Sequence, residues 1–185
     1  VALREVACGV GGGGGEGGAL VVGPLVVIGA GETEHASELT VDDHGDGDGR
    51  LDLYVANYVD IQIENHVRRM INGVPSYPGP LCYQPFADVL YSNNGDGTFT
   101  DVSQESGIGR VAGNGMGMVC ADYDNDGDTD VFVDNDGDGN FFFENDGSGR
   151  FQEVGVSLGV AFNFAGSPLA SMGVDCGDYD NDGWL

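Results

Sequence analysis

The chain has 185 residues, of which 31 are acidic and 6 are basic, and its formal net charge is −25. Because binding to nucleic-acid phosphates depends on Lys and Arg, this charge argues against nucleic acid as a partner. The hydrophobic content of 41% argues against a disordered chain, and no apolar stretch reaches the roughly 20 residues of a membrane span.

Residues 1–40 share no motif with the rest of the chain and include the run Gly11 to Gly15. We interpret them as a low-complexity linker, or as an artefact of a shifted reading frame. Residues 25–31 resemble the strand and first turn of a dinucleotide-binding fold, but Glu34 occupies the third glycine position, where a carboxylate would oppose a pyrophosphate. The apolar run 19–30 lacks the basic start of a signal peptide, although a remnant of one stays open. Since the sequence begins with Val1 and stops inside a repeated motif, we expect a fragment.

A first repeat is predicted over about residues 41–103. An acidic loop leads into a strand-like run at 51–55, and a run at 89–91 follows an insertion over 61–88. The insertion is rich in Pro and Tyr, and we predict a surface loop between two strands of the repeat, with its role left open.

A second repeat is predicted over about residues 113–155, and a third begins at about 169–185. Asp122 recurs 56 residues later as Asp178, and the Asn93 turn recurs 52 residues later at Asn145. Short β-branched and aromatic runs bounded by Gly, Asn and Asp predict four antiparallel strands per period. A period of this length with four strands indicates a propeller blade. The predicted fold class is therefore all-β, a partial β-propeller of four-stranded antiparallel blades with acidic loops between strands.

The acidic loops are predicted to bind Ca²⁺. Calcium prefers six to eight oxygen ligands, and alternating carboxylates closed by a glycine can supply most of them. In the second repeat the carboxylates occupy positions 1, 3, 5 and 9, and position 7 offers its backbone carbonyl; these residues are Asp122, Asp124, Asp126, Asp130 and Asp128. The third repeat supplies Asp178, Asp180, Asp182 and the carbonyl residue Trp184. The first supplies Asp46, Asp48, Asp52 and the carbonyl residue Arg50, with the poor ligand His44 at position 1.

Other acidic or metal-binding arrangements are disfavoured. An EF-hand needs a Glu at position 12, where the second loop has Val133. The run Asp134, Asp136 and Asp138 has Phe142 where a closing carboxylate is needed, so we predict a solvated turn. The four cysteines form no CxxC pair. For Cys120 and its repeat equivalent Cys176 we favour small buried residues over a disulfide.

Three motifs carry a resemblance to a known family: the acidic loop 122–130, the strand 51–57 (LDLYVAN) and the turn 93–102 (NNGDGTFTDV). Over roughly residues 45–185 the chain resembles the FG-GAP-like (VCBS) repeat proteins, whose blades resemble those of the integrin α-chain propeller. The Pro- and Tyr-rich insertion before Leu90 resembles the cartilage acidic protein branch, which is often linked to ASPIC/UnbV domains. The resemblance implies an exported, calcium-loaded propeller of about seven blades. The literal Phe-Gly and Gly-Ala-Pro signatures are absent, and Cys82 stands alone in the insertion, where that branch tends to have paired cysteines.

The function expected from these features is binding rather than catalysis. The resemblance implies adhesion, matrix or surface recognition of protein or glycan ligands through loops on one propeller face, outside the cell, in the periplasm or at the cell surface. The alternative is a non-adhesive propeller domain attached to, or part of, an extracytoplasmic enzyme. The predicted metal loops account for the regularly spaced Asp residues, which are therefore assigned to metal binding. His35 and His66 lie in separate regions away from any candidate nucleophile, so we nominate no catalytic residue.

Overall fold

The structure is a computed structural model that describes residues 46–184 except 47, 49 and 65, together with the strand backbone at 4–5, 26–27 and 36–42. Predictions about His44 and about most of residues 1–35, including the glycine run and the dinucleotide-like turn, lie outside the described residues. The described strands are β1 Arg4–Glu5, β2 Val26–Val27, β3 Ala36–Asp42, β4 Asp52–Asn57, β5 Val59–Asp60, β6 Arg69–Ile71, β7 Val74–Ser76, β8 Gln84–Ala87, β9 Val89–Asn93, β10 Phe99–Asp101, β11 Ala112–Gly113, β12 Gly115–Ala121, β13 Asp130–Asn135, β14 Phe141–Asn145 and β15 Phe151–Glu153. The described helices are the single turns α1 Ser103–Ser106 and α2 Gly155–Leu158 and the 3-10 turns Pro80–Cys82 and Ile108–Arg110.

Two four-stranded antiparallel sheets form the body of the molecule. The first blade consists of β3, β4, β9 and β10 in that spatial order, and the second blade of β12, β13, β14 and β15. Each has an acidic loop between its first two strands, so the predicted all-β, propeller-like fold class is confirmed. Strand β3 begins at Ala36 and pairs with β4, which places it partly inside the segment that we had predicted to lie outside the repeat.

The hydrophobic core lies between the two blades. Alternate residues of a strand point to opposite faces of a sheet, and this separates the side chains of β13. Val131 and Val133 are buried in the core against the first blade, whereas Phe132 lies beside Phe142 on the other face. The core is a single cluster of buried side chains from both blades and the turn between them: Tyr54, Ala56, Leu90, Ile108, Met118, Val131, Val133, Phe143 and Phe151. Each large apolar side chain buried here contributes about 1.5–3 kcal/mol to stability.

The insertion between β4 and β9 has secondary structure of its own, which the sequence reasoning missed. Strand β8 pairs with β5 on one side and with β11 on the other. Strands β6 and β7 form a separate two-stranded hairpin that turns through Asn72 and Gly73. The insertion is therefore an ordered subdomain rather than a plain surface loop.

The third repeat lacks the strand expected before its acidic loop. In the described residues after Leu158, the only ladder contact is an isolated bridge between Asp136 and Ala170. In both blades the strand before the loop is held by the strand after it, and the residues described beyond Asp182 are too few to provide such a partner. Among the described residues, no helix is long and apolar enough to cross a membrane.

Candidate metal centres

The acidic loop of the second blade connects the end of β12 at Ala121 with the start of β13 at Asp130. Two residues adopt left-handed backbone conformations, Asn125 with φ of 60° and Gly127 with φ of 98°. This region is accessible to Gly and tolerated by Asn, so these two residues allow the chain to reverse sharply within a few positions.

Backbone amides hold the first carboxylate of this loop. The N–H groups of Asp126 and Gly127 donate to the two oxygens of Asp122 at 3.1 and 3.0 Å. The Asp128 N–H donates to the Asp126 carboxylate at 3.0 Å. These bonds fix the orientation of the Asp122 carboxylate before any cation arrives.

Three carboxylates converge in this loop. Asp122, Asp124 and Asp130 each offer an oxygen, and these oxygens lie within 4.8 Å of one another. Asp126, predicted at position 5, is outside this group, and its carboxylate accepts the Asp128 N–H. Carboxylates this close repel one another, and a hard divalent cation is the species that would satisfy all three.

Asp130 anchors the loop to the blade. It is only 2% exposed, and its carboxylate accepts the N–H groups of Asn145 at 2.8 Å and Tyr123 at 3.3 Å. Burial, with a contribution from the negative charges of Asp124 and Asp126, raises the pKa of Asp130 to about 6. One ligand candidate therefore belongs to the core, whereas Asp124 is exposed.

The loop at the start of the third repeat has the same internal bonds, shifted by 56 residues. Asp182 and Gly183 donate backbone N–H groups to Asp178 at 3.2 and 2.7 Å, and the Trp184 N–H donates to Asp182 at 3.0 Å. The Gly183 hydrogen bond is the main cause of a lowered pKa of Asp178. Oxygens of Asp178, Asp180 and Asp182 lie within 4.8 Å of one another, so this loop brings together all three predicted carboxylates.

The loop of the first blade is less complete. The Asp48 N–H donates to Asp46 at 3.1 Å, the Arg50 N–H donates to Asp48 at 2.8 Å, and Arg50 also forms an ion pair with Asp48. Asp52 is buried and accepts the Asn93 N–H at 2.9 Å, as Asp130 accepts that of Asn145. Among the described residues these three carboxylates do not converge into a group like the other two.

The acidic run Asp134, Asp136 and Asp138, which begins at the end of β13, is not the solvated turn that we predicted. Asp134 is 2% exposed, and neither of its oxygens has a hydrogen-bond partner among the described residues. Asp136 accepts a hydrogen bond from the Tyr58 hydroxyl at 2.8 Å, and Asp138 is exposed. Asp134 lies on the same face of β13 as Phe132, away from the first blade, and Gly117 of β12 lies against its carboxylate, since an added Cβ there would be 2.6 Å from its Oδ1 and 3.0 Å from the Gly173 Cα.

A second buried carboxylate, Asp88, was also missed. Its oxygens accept the Tyr54 hydroxyl and the Asn57 N–H, both at 2.8 Å. Burial raises the pKa of Asp88 to about 7, and burial also raises the pKa of Tyr54, which therefore keeps its proton and donates. An Asp directly before a strand gives no sequence signal of a contact with a residue 31 positions earlier.

The cysteines differ from one another in environment. Cys120 is partly buried and packs against the core, as predicted, whereas its repeat equivalent Cys176 is exposed, contrary to prediction. In the part of the chain that the structure describes, Cys82, Cys120 and Cys176 form no disulfide.

Comparisons with known proteins agree with this geometry. Residues 46–133 match the FG-GAP-like repeat model, a range that covers β4, β9 and β10 of the first blade, the insertion, and β12 with most of β13 in the second blade. The chain is also similar to cartilage acidic protein 1 of Xenopus tropicalis and of Homo sapiens, at 25% identity over 122 residues in each case. The match covers 46% of this chain and only 19% and 18% of the two relatives.

Proposed function

We propose that the chain is a calcium-binding propeller module, a proposal supported by the match of residues 46–133 to the FG-GAP-like repeat model. The observation that carries this proposal is the convergence of Asp122, Asp124 and Asp130 in a loop whose backbone amides already orient Asp122. Calcium would offset two of the three neighbouring negative charges and fix the connection between β12 and β13. The residues that would hold it are those of the second loop and, by the same geometry, those of the third.

The energetic contribution of each site is modest. Extracellular calcium modules bind with Kd of about 10⁻⁴–10⁻³ M. At about 1 mM calcium, linkage then gives roughly 0.4–1.4 kcal/mol per site. Since a domain is stable by only about 5–15 kcal/mol, several such sites would decide whether it stays folded.

We further propose that the module acts outside the cell in adhesion or matrix recognition rather than in catalysis. This is supported by the similarity to cartilage acidic protein 1 and by the exposed loops at the ends of the blades. Protein or glycan ligands on a propeller face are the expected partners, and the net charge of −25 disfavours nucleic acid.

Thermal unfolding with and without calcium tests the proposal. We expect calcium to raise the melting temperature of EDTA-treated protein by about 1–5 °C per site. Asp124→Asn, which removes one charge from the exposed side of the group, should reduce this gain. Asp138→Asn is the matched control, because it removes one charge from an exposed acidic residue outside either group.

Terbium luminescence gives a direct reading of the third loop. The single Trp of the chain, Trp184, lies in this loop and can transfer excitation to a bound lanthanide. We expect Trp-sensitised emission that calcium displaces and that Asp182→Asn abolishes. The proposal would be refuted if calcium changed neither the melting temperature nor the terbium emission.

A further inference from the structure

We propose that the hairpin of the insertion, β6 and β7, binds an extended acidic segment of a partner protein, which adds as a third strand along the free edge of β6. This inference concerns a surface that the calcium loops do not reach. It therefore stands or falls independently of calcium binding.

The base of the insertion is fixed to both blades. Strand β8 pairs with β11, Tyr58 bonds to Asp136, and Leu81 lies beside Gly137, where an added Cβ would be 3.7 Å from its side chain. At the C-terminal end of the insertion, the buried Asp88 accepts hydrogen bonds from Tyr54 and Asn57 of β4. These contacts hold the two ends of the insertion, from which the separate sheet of β6 and β7 projects.

The hairpin itself is exposed and apolar. Met70 is 60% exposed, Val74 63% and the neighbouring Tyr77 91%, and every residue from Arg69 to Pro75 is exposed. Single exposed apolar residues are ordinary on protein surfaces, but a contiguous set marks an interaction site.

The two edges of the hairpin differ. Asn72 and Gly73 both have positive φ, 50° and 80°, as in the tight two-residue turn in which the closing pair exchanges hydrogen bonds. Ile71 and Val74 are that closing pair, so the next pair, Met70 and Pro75, directs its backbone groups outward. Pro75 has no N–H, which blunts the β7 edge, whereas Met70 presents both N–H and C=O. The edge of β6 is thus the side that accepts another strand.

The charge of the insertion identifies the partner. Residues 65–87 contain no acidic residue, in a chain that has 31, and they include the neighbouring arginines Arg68 and Arg69 at the β6 edge. Both arginines are exposed. A locally positive strand on a strongly negative body selects a partner segment with carboxylates in register with these arginines.

A strand fits this edge better than a lipid surface does. Unpaired backbone groups must be hydrogen-bonded, and hydrocarbon offers them no partner. A neighbouring strand supplies both donors and acceptors. The net charge of the chain, −25, also repels an anionic bilayer. The positive charge of the hairpin would offset this repulsion only at short range, because salt screens charges over about 10 Å.

The test uses a synthetic peptide of about eight residues in which Glu and Val alternate, added to isotopically labelled protein in millimolar calcium. We expect the backbone amide resonances of Arg69, Met70 and Ile71 to shift on titration. Arg68→Glu with Arg69→Glu should weaken binding roughly tenfold. Met70→Pro should weaken it to a similar degree by removing the edge N–H. Met70→Pro keeps the hairpin intact because the facing position is already Pro75.

Two controls separate this mechanism from charge attraction alone. A peptide with Pro at its centre has the same charge but cannot pair along the edge, and it should not bind. Arg110→Glu with Arg150→Glu makes the same change of net charge at two exposed arginines outside the insertion and should leave binding unchanged.

The proposal is overturned if no amide shifts at about 5 mM peptide, or if Met70→Pro binds like the unmodified chain. It is also overturned if the protein instead sediments with phosphatidylserine vesicles through Arg68 and Arg69.

Discussion

The substitution Asp88→Asn tests how a buried carboxylate controls stability at the base of the insertion. In the second blade the equivalent position is Asn140, whose Oδ1 accepts the N–H of Asn135 at 2.9 Å, just as Asp88 accepts that of Asn57 at 2.8 Å. An amide therefore fits this position without loss of the backbone hydrogen bond. The substitution removes the ionisable proton and its charge, and it replaces the oxygen that accepts the Tyr54 hydroxyl with an NH2 group, so the comparison is made between two pH values rather than at one.

The expected effect follows from the raised pKa of Asp88. Well below pH 3.8 the carboxyl is protonated in the folded and the unfolded chain. As the pH rises, the unfolded chain ionises near 3.8 while the folded chain keeps its proton up to about 7, so the wild-type protein loses stability across this window. The difference between these values corresponds to roughly 4 kcal/mol, of which about 3 kcal/mol falls between pH 5 and pH 8. Asp88→Asn stays neutral and should gain that amount relative to wild type.

Urea unfolding at pH 5 and pH 8 in millimolar calcium measures this difference. The free energy of unfolding of Asp88→Asn minus that of wild type should be larger at pH 8 than at pH 5 by up to about 3 kcal/mol. The exposed control Asp138→Asn should show a difference that changes by less than about 0.5 kcal/mol. An equal Asp88→Asn difference at both pH values would refute the reasoning.

Two further substitutions test the packing between the blades. Phe143→Ala removes a ring that is 1% exposed and should lower the free energy of unfolding, measured in urea, by about 3–5 kcal/mol. Phe164→Ala, at a fully exposed position, should change it by less than about 0.5 kcal/mol. Equal losses would contradict the proposed core. Gly107→Ala should destabilise the protein by clearly more than Gly159→Ala. Both glycines have positive φ, which costs about 1 kcal/mol for Ala. A Cβ at Gly107 would lie 2.5 Å from the Phe151 carbonyl oxygen, whereas a Cβ at Gly159 would have no described atom within 4 Å. Equal melting temperatures for these two variants would show that the contact with Phe151 is not close.

The local code of the chain predicted much of the fold. Strands β12 to β15 follow from short apolar runs, and the turns between them follow from Asn and Gly, because these residues accept the backbone conformations that a hairpin needs. The spacing of the acidic loops placed Asp122, Asp124 and Asp130 together, and likewise Asp178, Asp180 and Asp182. Whether these groups hold calcium stays a prediction.

Long-range burial could not be read in the same way. Asp88 and Asp134 are acidic residues in an acidic chain, and nothing local distinguishes them from solvated ones. Their burial depends on which face of which strand packs against a neighbour, and that is decided by residues far away in the sequence. The hairpin of β6 and β7 is different, because Asn72-Gly73 between apolar residues is a strong turn signal that the Pro-rich surroundings obscured.

The paired contacts at Asn57 and Asn135 have a consequence for redesign. Asn57 bonds to Ala87 and Asp88 across 30 intervening residues at most, and Asn135 bonds to Gly139 and Asn140 across four, with nearly the same distances. Because the ends of the segment between these hydrogen bonds are held alike in both blades, a change in the length of its outer part, away from β8, alters mainly the entropy of closure, by about 0.6 kcal/mol for each doubling. The hairpin of β6 and β7, in this outer part, is accordingly a position at which a foreign recognition sequence can replace the native one while the blade beneath keeps its shape.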